Sequence, residues 1–264
     1  MNQTALLEID GAIATVTLNR PEVLNALNDR MVEALQDAVT RIGEDGAIRC
    51  VVVRGSGGGF MAGGDLRQFH HYLTTARETG EPFPINFDRA HDVIGRLRAL
   101  PLPVLASVHG PVAGFGFSLM SACDLVIAAE DSFFTLAYCL IGTSPDGGST
   151  FHLPRAVGIK RAMEIALLGD RFKAPEALAA GLINRIVATD DLAAETARLA
   201  ARLAAGPTAA LGRTKALVNA SFSRELSDQL AAEAENFLAC ARGPDFFEGI
   251  SAFLEKRKPE FRGQ

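Results

Sequence analysis

The sequence predicts an α/β fold that ends in a helical C-terminal segment. Short apolar runs at residues 50–53 and 104–108 are typical of strands that are covered on both faces. Each run leads into a glycine-rich loop and then into a helical pattern, and this alternation predicts parallel strands with right-handed crossovers. After Phe151 the strand pattern nearly vanishes, so the remaining residues are predicted to be mainly helical.

A β-hairpin and an amphipathic helix are predicted first. Apolar and polar residues alternate on both sides of Asp10-Gly11, a dipeptide that favours a tight hairpin turn. From Asn28 onward, apolar residues recur every three or four positions, which predicts a helix that ends near Gly43. The strand at 50–53 then enters the first glycine-rich loop, GSGGGFMAGGDL, at residues 55–66.

Two further strand and loop units are predicted in the middle of the chain. Residues 68–88 are a polar, histidine-containing segment, and a helix then runs to about Leu100, where Pro101 and Pro103 end it. The strand at 104–108 leads into a second glycine-rich loop, HGPVAGFGFSLM, and the strand at 125–128 precedes a third turn, IGTSPDGGST. In the helical remainder we expect breaks at Gly158, Gly169, Gly181, Gly206-Pro207 and Gly243-Pro244.

The composition excludes several classes of partner. The 264 residues are 48% hydrophobic and 22% charged, as in a globular protein large enough to fold without disulfides or a structural metal. The 26 basic and 31 acidic residues give a net charge of −5 without a basic stripe, which argues against nucleic acid and anionic membranes. The uncharged stretch 101–123 is interrupted by prolines and glycines, so we expect no membrane span there.

The cysteines and the N-terminus favour the cytoplasm. The four cysteines show neither a CxxC pair nor a metal-ligand spacing, and we predict that they are reduced core thiols. The first apolar run lacks a basic flank and is broken by Glu8 and Asp10, so no signal peptide is expected.

The first two glycine-rich loops are candidates for an oxyanion hole. Each lies between a buried strand and a helix, where main-chain N–H groups point at one place and favour negative charge. Neither loop has the spacing of a nucleotide-binding fingerprint. The alternative interpretation is two tight turns that use glycine for steric reasons.

Asp146 is the candidate acid or base. It precedes Gly147-Gly148 and a predicted helix, so one interpretation is an N-cap. The other is a carboxylate in an apolar pocket that acts as a general base. The histidines at positions 70, 71, 109 and 152 have no acidic partner at a recognisable spacing, and Ser118 and Ser149 are not in a GxSxG motif, which disfavours a serine hydrolase.

Five sequence blocks occur in order along the chain. They are NRPEVLNALN from Asn19, FMAGGDL from Phe60, VHGPVAGFGFSL from Val108, IGTSPDGGST from Ile141 and EGISAFLEKRKPEF from Glu248. With these blocks the chain resembles the enoyl-CoA hydratase/isomerase (crotonase) superfamily over nearly its whole length. The resemblance implies a spiral of ββα units in residues 1–200 and a helical trimerisation region in residues 201–264. It also implies homotrimers or hexamers, and a coenzyme A thioester as substrate, with no cofactor or metal.

The resemblance also assigns roles to individual residues. The oxyanion hole would be formed by the main-chain N–H groups of Gly64 and Phe115. Further substrate contacts are implied for Ala62, Asp65, Leu66, Gly114, Ser118 and Tyr138. Contacts to coenzyme A are implied for Val23, Leu24, Phe237 and Lys256, the last two toward the ligand of a neighbouring subunit.

The chain departs from the hydratases of this family at two positions. Where those enzymes carry catalytic glutamates, this sequence has Ser118 and Tyr138. Asp146 matches an aspartate used in other branches, and the surrounding SPDGGSTFHLPR is most similar to the ring-epoxide isomerase of aerobic phenylacetate degradation. Dienoyl-CoA isomerases and 4-chlorobenzoyl-CoA dehalogenases share the aspartate, but the aromatic and histidine partners of the dehalogenase cannot be placed in this chain.

These residues favour an acyl-CoA isomerase that moves a double bond, or rearranges a ring epoxide, by proton transfer through one carboxylate. Two alternatives stay open, namely an enoyl-CoA hydratase that uses Asp146 and a bound water, and a CoA-ester-binding protein without catalysis. The acyl group is not predicted by these motifs. We expect part of its pocket in residues 68–97, which include His70, His71, Tyr72, Phe83 and Phe87.

Overall fold

Nine short strands form two sheets in the described part of the chain, residues 4–85 and 87–264 of a computed structural model. The strands are β1 (Ala5–Asp10), β2 (Ile13–Leu18), β3 (Cys50–Gly55), β4 (Val104–Val108), β5 (Pro111–Ala113), β6 (Leu125–Ala129), β7 (Phe133–Thr135), β8 (Phe172–Lys173) and β9 (Arg185–Val187). The larger sheet has the order β1-β2-β3-β4-β6-β9, and the smaller has the order β5-β7-β8. Only the β1–β2 pair of the larger sheet is antiparallel, so the predicted parallel α/β core is confirmed.

Ten α-helices accompany these strands in the same described residues. They are α1 (Asp29–Glu44), α2 (Leu66–Thr79), α3 (Phe87–Ala99), α4 (Phe115–Ala122), α5 (Ser149–Leu168), α6 (Ala174–Ala179), α7 (Leu192–Ala204), α8 (Thr208–Ala220), α9 (Leu226–Ala241) and α10 (Pro244–Leu254).

The larger sheet is buried on both faces because successive side chains of its strands point to opposite sides. Val51 and Val53 pack into the core that includes α1, α3 and α4, whereas Cys50 and Val52 pack against α7 on the other face. This double burial explains why β3 and β4 are apolar throughout.

The N-terminal predictions are confirmed. Asp10 pairs with Ile13 across a two-residue turn. The Asn28 side chain accepts a hydrogen bond from the Met31 amide, and α1 ends at Glu44, within one residue of the expected end. The Asn28 cap therefore fixes the start of the helix that follows the hairpin.

The prediction for residues 68–88 is wrong in its first part. Helix α2 occupies Leu66–Thr79, begins at an Asp65 cap and ends at Gly80. None of its residues is buried, because its apolar side chains line a cavity and do not enter the core. Leu66, Phe69 and Leu73 recur at three- and four-residue spacing, a helical pattern that the surrounding polar and histidine residues obscured.

The C-terminal breaks fall where the glycines predicted them. Gly158 interrupts α5 with a φ of 77° and Gly169 ends it, while Gly206-Pro207 and Gly243-Pro244 separate later helices. The short strands β8 and β9 were not predicted, since two or three residues are too few for a periodic pattern.

Residue 200, the expected boundary between the two regions, lies inside α7. Leu199 and Ala200 of this helix pack against the larger sheet, so α7 as a whole belongs to the core. Helices α8 to α10 follow, and α9 has no buried residue.

All four cysteines are free, but they are not all core thiols. Cys50 is buried, and burial raises the pKa of its thiol to about 12. Cys139 is exposed, because it lies in the short 3-10 turn Tyr138–Ile141 at the protein surface, so the core assignment is wrong for this residue. Within residues 4–85 and 87–264, no helix is long and apolar enough to span a membrane.

Candidate active site

The first glycine-rich loop is held between two other segments by main-chain hydrogen bonds. On one side the Met61 amide donates to Pro111 O at 3.2 Å, and the Ala113 amide donates to Met61 O at 2.9 Å. On the other side the Leu27 amide donates to Gly63 O at 2.7 Å. Residues 61–64 are thereby fixed beside the second glycine-rich loop, as a short strand would be.

The main-chain N–H groups of Gly64 and Phe115 have no acceptor among the described residues. The bridge from Leu27 uses Gly63 O and the Asp65 amide, which leaves the Gly64 amide out of the ladder. Phe115 is the first residue of α4, where helical amides lack an intrahelical acceptor.

Close contact of the two loops brings these amides to one cavity. A Cβ atom on Gly114, which has a φ of 50°, would lie 3.3 Å from Gly63 Cα, so glycine is required for this approach. Gly64 and Phe115 both line the cavity. Two free N–H groups, one of them at a helix N-terminus, can stabilise a negative oxygen there.

The cavity next to these amides has a volume of about 570 Å³ and is mostly apolar. Among the described residues that line it, Asp146 is the only carboxylate, and the other titratable side chains are His70 and Tyr138. Ala62, Leu66 and Gly114, which the resemblance assigned to the substrate, also line it.

Asp146 is held by its neighbours on both its side chain and its main chain. The Tyr138 hydroxyl donates a hydrogen bond to Asp146 Oδ1. The Ser118 and Ser149 hydroxyls donate to Asp146 O at 2.8 Å and 3.2 Å. The N-cap interpretation of Asp146 is wrong. Gly148 is the N-cap residue of α5, and the Asp146 carboxylate accepts a hydrogen bond from the Tyr138 hydroxyl.

Tyr138 remains protonated in this arrangement. Burial, followed by the charge of Asp146, raises the pKa of the Tyr138 hydroxyl above its ordinary value. The phenol therefore keeps the proton that it donates to Asp146 Oδ1, and it makes no hydrogen bond to Asp146 Oδ2. Ala137, which precedes Tyr138, has a left-handed φ of 57° and directs the chain into the turn that carries the phenol.

Asp65 and Ser118 do not line the cavity. Asp65 caps α2 and forms a 2.9 Å ion pair with Arg20, a residue that the sequence analysis did not single out. Burial opposes ionisation of Asp65, but hydrogen bonds from Arg20 and the Gln68 amide outweigh it and lower the pKa. Ser118 is fully buried, and its hydroxyl is used by Asp146 O.

The residues expected to contact coenzyme A fall into two groups. Leu24 lines a second cavity that shares Ala62 and Ala137 with the first, and Val23 precedes it in a 3-10 turn. Phe237 and Lys256 are exposed on the C-terminal helical segment and line neither cavity.

Part of the segment 68–97 lines the cavity as expected. His70, Phe83 and Phe87 are lining residues. His71 and Tyr72 are not lining residues. The Tyr72 hydroxyl instead donates a hydrogen bond to Asp29 Oδ2 at 2.6 Å.

His109 and His152 do not form a catalytic pair with an acid. His109 contacts Gly57 O at 2.8 Å, and His152 contacts the Arg98 guanidinium at 3.2 Å. Burial, followed by the charges of Arg98 and Arg155, lowers the pKa of His152 to about 4.

Comparison with known proteins identifies the family to which the chain belongs. A family model described as enoyl-CoA hydratase/isomerase matches residues 8–264. The chain is 38% identical over 268 residues to 1,2-epoxyphenylacetyl-CoA isomerase of Escherichia coli, with 100% of both chains covered. It is 40% identical over 265 residues to a probable enoyl-CoA hydratase of Rhodobacter capsulatus, with 99% of this chain and 98% of the other covered.

The solved structures agree with this result. The crystal structure of an enoyl-CoA hydratase from a Polaromonas species superposes with a TM-score of 0.91 at 35% identity, covering 98% of this chain and 99% of the other. The crotonase-like fold expected from the five sequence blocks is therefore confirmed, and the chain belongs to the enoyl-CoA hydratase/isomerase family.

Proposed function

We propose that this protein is an acyl-CoA isomerase in which Asp146 transfers a proton along the acyl chain. The proposal is carried by one observation: Asp146 is the only carboxylate among the described residues that line the cavity. Hydration needs one group to activate water and another to manage the α-proton, whereas double-bond migration can be completed by one base.

Tyr138 and Ser118 occupy the two positions that hold glutamates in the hydratases of the family, and in this chain both form hydrogen bonds to Asp146. Tyr138 donates to its carboxylate, and Ser118 donates to its carbonyl. Neither group is an efficient base for water at neutral pH, because one is a phenol with a raised pKa and the other is a buried alcohol. They orient the single carboxylate and leave Oδ2 available to a substrate.

The reaction follows from this arrangement. The thioester carbonyl oxygen of a 3-enoyl-CoA accepts hydrogen bonds from the amides of Gly64 and Phe115. Asp146 takes a proton from C2, and the electrons form a dienolate whose negative oxygen lies at these amides. The same proton returns to C4, so that the double bond moves from C3–C4 to C2–C3 and Asp146 regains its charge. In a ring-epoxide substrate the same amides would stabilise the corresponding enolate.

A parallel assay tests the proposal. We expect Asp146→Asn to lower kcat for a 3-enoyl-CoA by about 10²- to 10⁴-fold, the usual contribution of a general base. Asp190→Asn is the matched control, because Asp190 is exposed in the turn before α7 and lines neither cavity. Isomerisation that survives Asp146→Asn unchanged would contradict the assignment.

The hydratase alternative is distinguished by a second substrate. Its support is the 40% identity to a relative named as a probable enoyl-CoA hydratase. It predicts hydration of crotonyl-CoA by the wild type, whereas the isomerase proposal predicts negligible hydration. Binding of acyl-CoA without turnover of either substrate would favour the non-catalytic alternative.

We also propose that the protein assembles as a homotrimer or hexamer in the cytoplasm through helices α8 to α10. These helices expose large apolar side chains, among them Leu226, Phe237, Phe247 and Phe253, which are 62–82% exposed. Exposed apolar area of this kind is typical of an interface. Light scattering of the purified protein would measure the assembly, and a monomer at micromolar concentration would contradict the proposal.

A further inference from the structure

A largely buried cation, Arg20, lies behind the first glycine-rich loop. Its Nη1 donates a hydrogen bond to Ala26 O at 2.6 Å, and its Nη2 donates to Asp65 Oδ2 at 2.9 Å. The side chains of Arg20 and Asp65 are only 15% and 14% exposed. Glu22 lies 4.0 Å from Arg20 Nε, but its side chain is 68% exposed. The proposed reaction gives this cation no role, although its partner Asp65 directly follows Gly64.

The main chain around Arg20 is fixed by a buried asparagine. The Arg20 amide donates to Asn25 Oδ1 at 2.8 Å. Asn25 Nδ2 in turn donates to main-chain carbonyls of the first glycine-rich loop, among them Gly59 O at 2.8 Å. Asn25 is fully buried and has a left-handed φ of 58°, a conformation in which asparagine is enriched. The guanidinium group is therefore held in place from both its side chain and its main chain.

Two peptide groups connect Arg20 to the oxyanion hole. Ala26 O, the acceptor of the Arg20 bond, belongs to the same peptide group as the Leu27 amide. The Leu27 amide donates to Gly63 O at 2.7 Å, and Gly63 O shares its peptide group with the Gly64 amide. No described peptide bond is cis, so the C=O and N–H of each planar group point in opposite directions. The Gly64 amide therefore points away from Leu27, and Gly64 lines the cavity.

We propose that Arg20 orients and strengthens the Gly64 donor through the peptide groups Ala26–Leu27 and Gly63–Gly64, which we call the amide relay. The inference rests on the proposed oxyanion hole and adds a positioning residue that does not contact the substrate. A hydrogen bond from a cation is stronger than a neutral one, and it polarises the peptide group that accepts it. The N–H of that group becomes a better donor to the next carbonyl, and the effect continues along the chain of hydrogen bonds.

The amide relay compensates for a difference between the two donors of the hole. The Phe115 amide is at the N-terminus of α4, where the helix dipole favours a negative oxygen. Gly64 precedes α2, but the first amides of that helix donate to the Asp65 carboxylate. Arg20 therefore gives the Gly64 amide the electrostatic support that α4 gives the Phe115 amide.

The variant Arg20→Met tests the amide relay, because methionine is a long side chain without charge or donors. We expect kcat for a 3-enoyl-CoA to fall about threefold to tenfold, less than the 10²- to 10³-fold cost of losing a whole oxyanion-hole donor. KM should change by less than about twofold, since the negative oxygen develops only during the reaction. An unchanged kcat, or an effect on KM alone, would overturn the inference.

The conservative variant Arg20→Lys separates charge from shape, and it keeps the inference testable where Arg20→Met does not fold. Lysine keeps the positive charge but lacks the planar fork that bonds Ala26 O and Asp65 together. We expect it to lower kcat about twofold to threefold. A kcat equal to that of the wild type, or equal to that of Arg20→Met, would contradict the amide relay.

The variant Arg49→Met is the matched control. Arg49 is also a half-buried arginine, and its guanidinium donates to Gly206 O and to the Thr208 hydroxyl. It lines neither the active-site cavity nor the adjoining one. We expect Arg49→Met to lose a similar free energy of unfolding to Arg20→Met, while its kcat stays within about twofold of the wild type. An equal fall of kcat in both variants would show a general structural effect and overturn the inference.

Infrared spectroscopy measures the strength of the hole without turnover. Hexanoyl-CoA labelled with ¹³C at its thioester carbonyl has no double bond for the proposed reaction to move, and hydrogen bonds to its oxygen lower the carbonyl stretching frequency. We expect the wild type and Arg49→Met to lower this frequency equally. In saturated Arg20→Met the decrease should be smaller by about 10–30%. An equal decrease in Arg20→Met and the wild type would overturn the amide relay.

A failure of the amide relay is distinguishable from a failure of the proposed function. A smaller carbonyl shift in Arg20→Met, without isomerisation by the wild type, would refute the proposed reaction alone. Isomerisation that is lost in Asp146→Asn, together with equal carbonyl shifts in the wild type and Arg20→Met, would refute the amide relay alone. A wild type that causes no carbonyl shift would refute the oxyanion hole and the amide relay together.

Discussion

Gly64 and Phe115 lie on segments that main-chain hydrogen bonds hold against each other. Phe83, which precedes α3, and Phe87, the first residue of α3, instead have side chains that remain partly exposed. The reaction end of the cavity is thus fixed by backbone packing, and its acyl end is formed by side chains at the surface. The difference indicates that changes at the first end cost stability, while changes at the second alter selectivity at little structural cost.

The largest expected effect comes from adding a methyl group where the two loops meet. A Cβ atom on Gly116 would lie 2.4 Å from Met61 O, so Gly116→Ala must separate the loops. We expect a loss of about 3 kcal/mol or more in the free energy of unfolding. Gly95→Ala is the matched control in α3, because nothing lies within 4 Å of its added Cβ atom.

Urea denaturation of both variants measures this difference. In Gly95→Ala the helix should gain about 0.5–1 kcal/mol, since alanine is a better helix former than glycine. Similar free energies of unfolding for Gly116→Ala and Gly95→Ala would show that the contact between the two loops is no more tightly packed than the exposed side of α3.

His152, a buried histidine that contacts the Arg98 guanidinium, should make the stability of the fold depend on pH. The pKa of His152 is lowered to about 4 in the folded protein, below its unfolded value of about 6.5. The unfolded chain then binds the proton more readily, so stability is complete above the unfolded pKa and is lost as the pH falls toward 4.

We expect the free energy of unfolding to fall by about 2 kcal/mol between pH 7 and pH 4.5 through this group. His152→Gln should lose most of that dependence. His109→Gln is the comparison, since His109 is half-exposed and bonds to a carbonyl oxygen. An equal loss of pH dependence in both variants would contradict a special role for His152.

A smaller effect is expected when the support of Asp146 is weakened. Tyr138→Phe removes the hydroxyl that donates to Oδ1 but keeps the ring, and kcat should fall about tenfold, the cost of one hydrogen bond to a charged group. Tyr72→Phe, which removes a hydroxyl that donates to Asp29 outside the cavity, should leave kcat unchanged.

The smallest effect on stability is expected at the acyl end. Phe87→Leu should change the free energy of unfolding by less than about 0.5 kcal/mol, because the side chain is 44% exposed. It should raise KM for a 3-enoyl-CoA about threefold with kcat nearly unchanged, because Phe87 lines the cavity. A large loss of stability in this variant would show that Phe87 is part of the folding core.

The parts of the fold that depend on neighbouring residues were predicted from the sequence. The hairpin at Asp10 and the cap at Asn28 depend on neighbouring residues, and they were placed within a residue or two. Helix α2 was missed because its apolar residues Leu66, Phe69 and Leu73, although at helical spacing, are few among polar side chains. Strand β9 was missed because it has only three residues and is a strand only through its parallel pairing with β6.

The site was predicted unevenly for similar reasons. Gly64, Phe115 and Asp146 line one cavity, as the motifs implied. Arg20 was not found, since its role depends on a 2.9 Å ion pair with Asp65, 45 positions away. The turn that carries Tyr138 was not predicted, because it depends on the left-handed backbone at Ala137, for which alanine gives no signal.

The two free amides also determine how such a site can diverge. The amide of Phe115 belongs to the main chain, so every substitution there except proline retains a donor while changing the shape of the pocket. In the proposed reaction, substitution at position 118, 138 or 146 leaves these two main-chain donors in place. A different proton-transfer group beside them would then give a different reaction on the same carbonyl group.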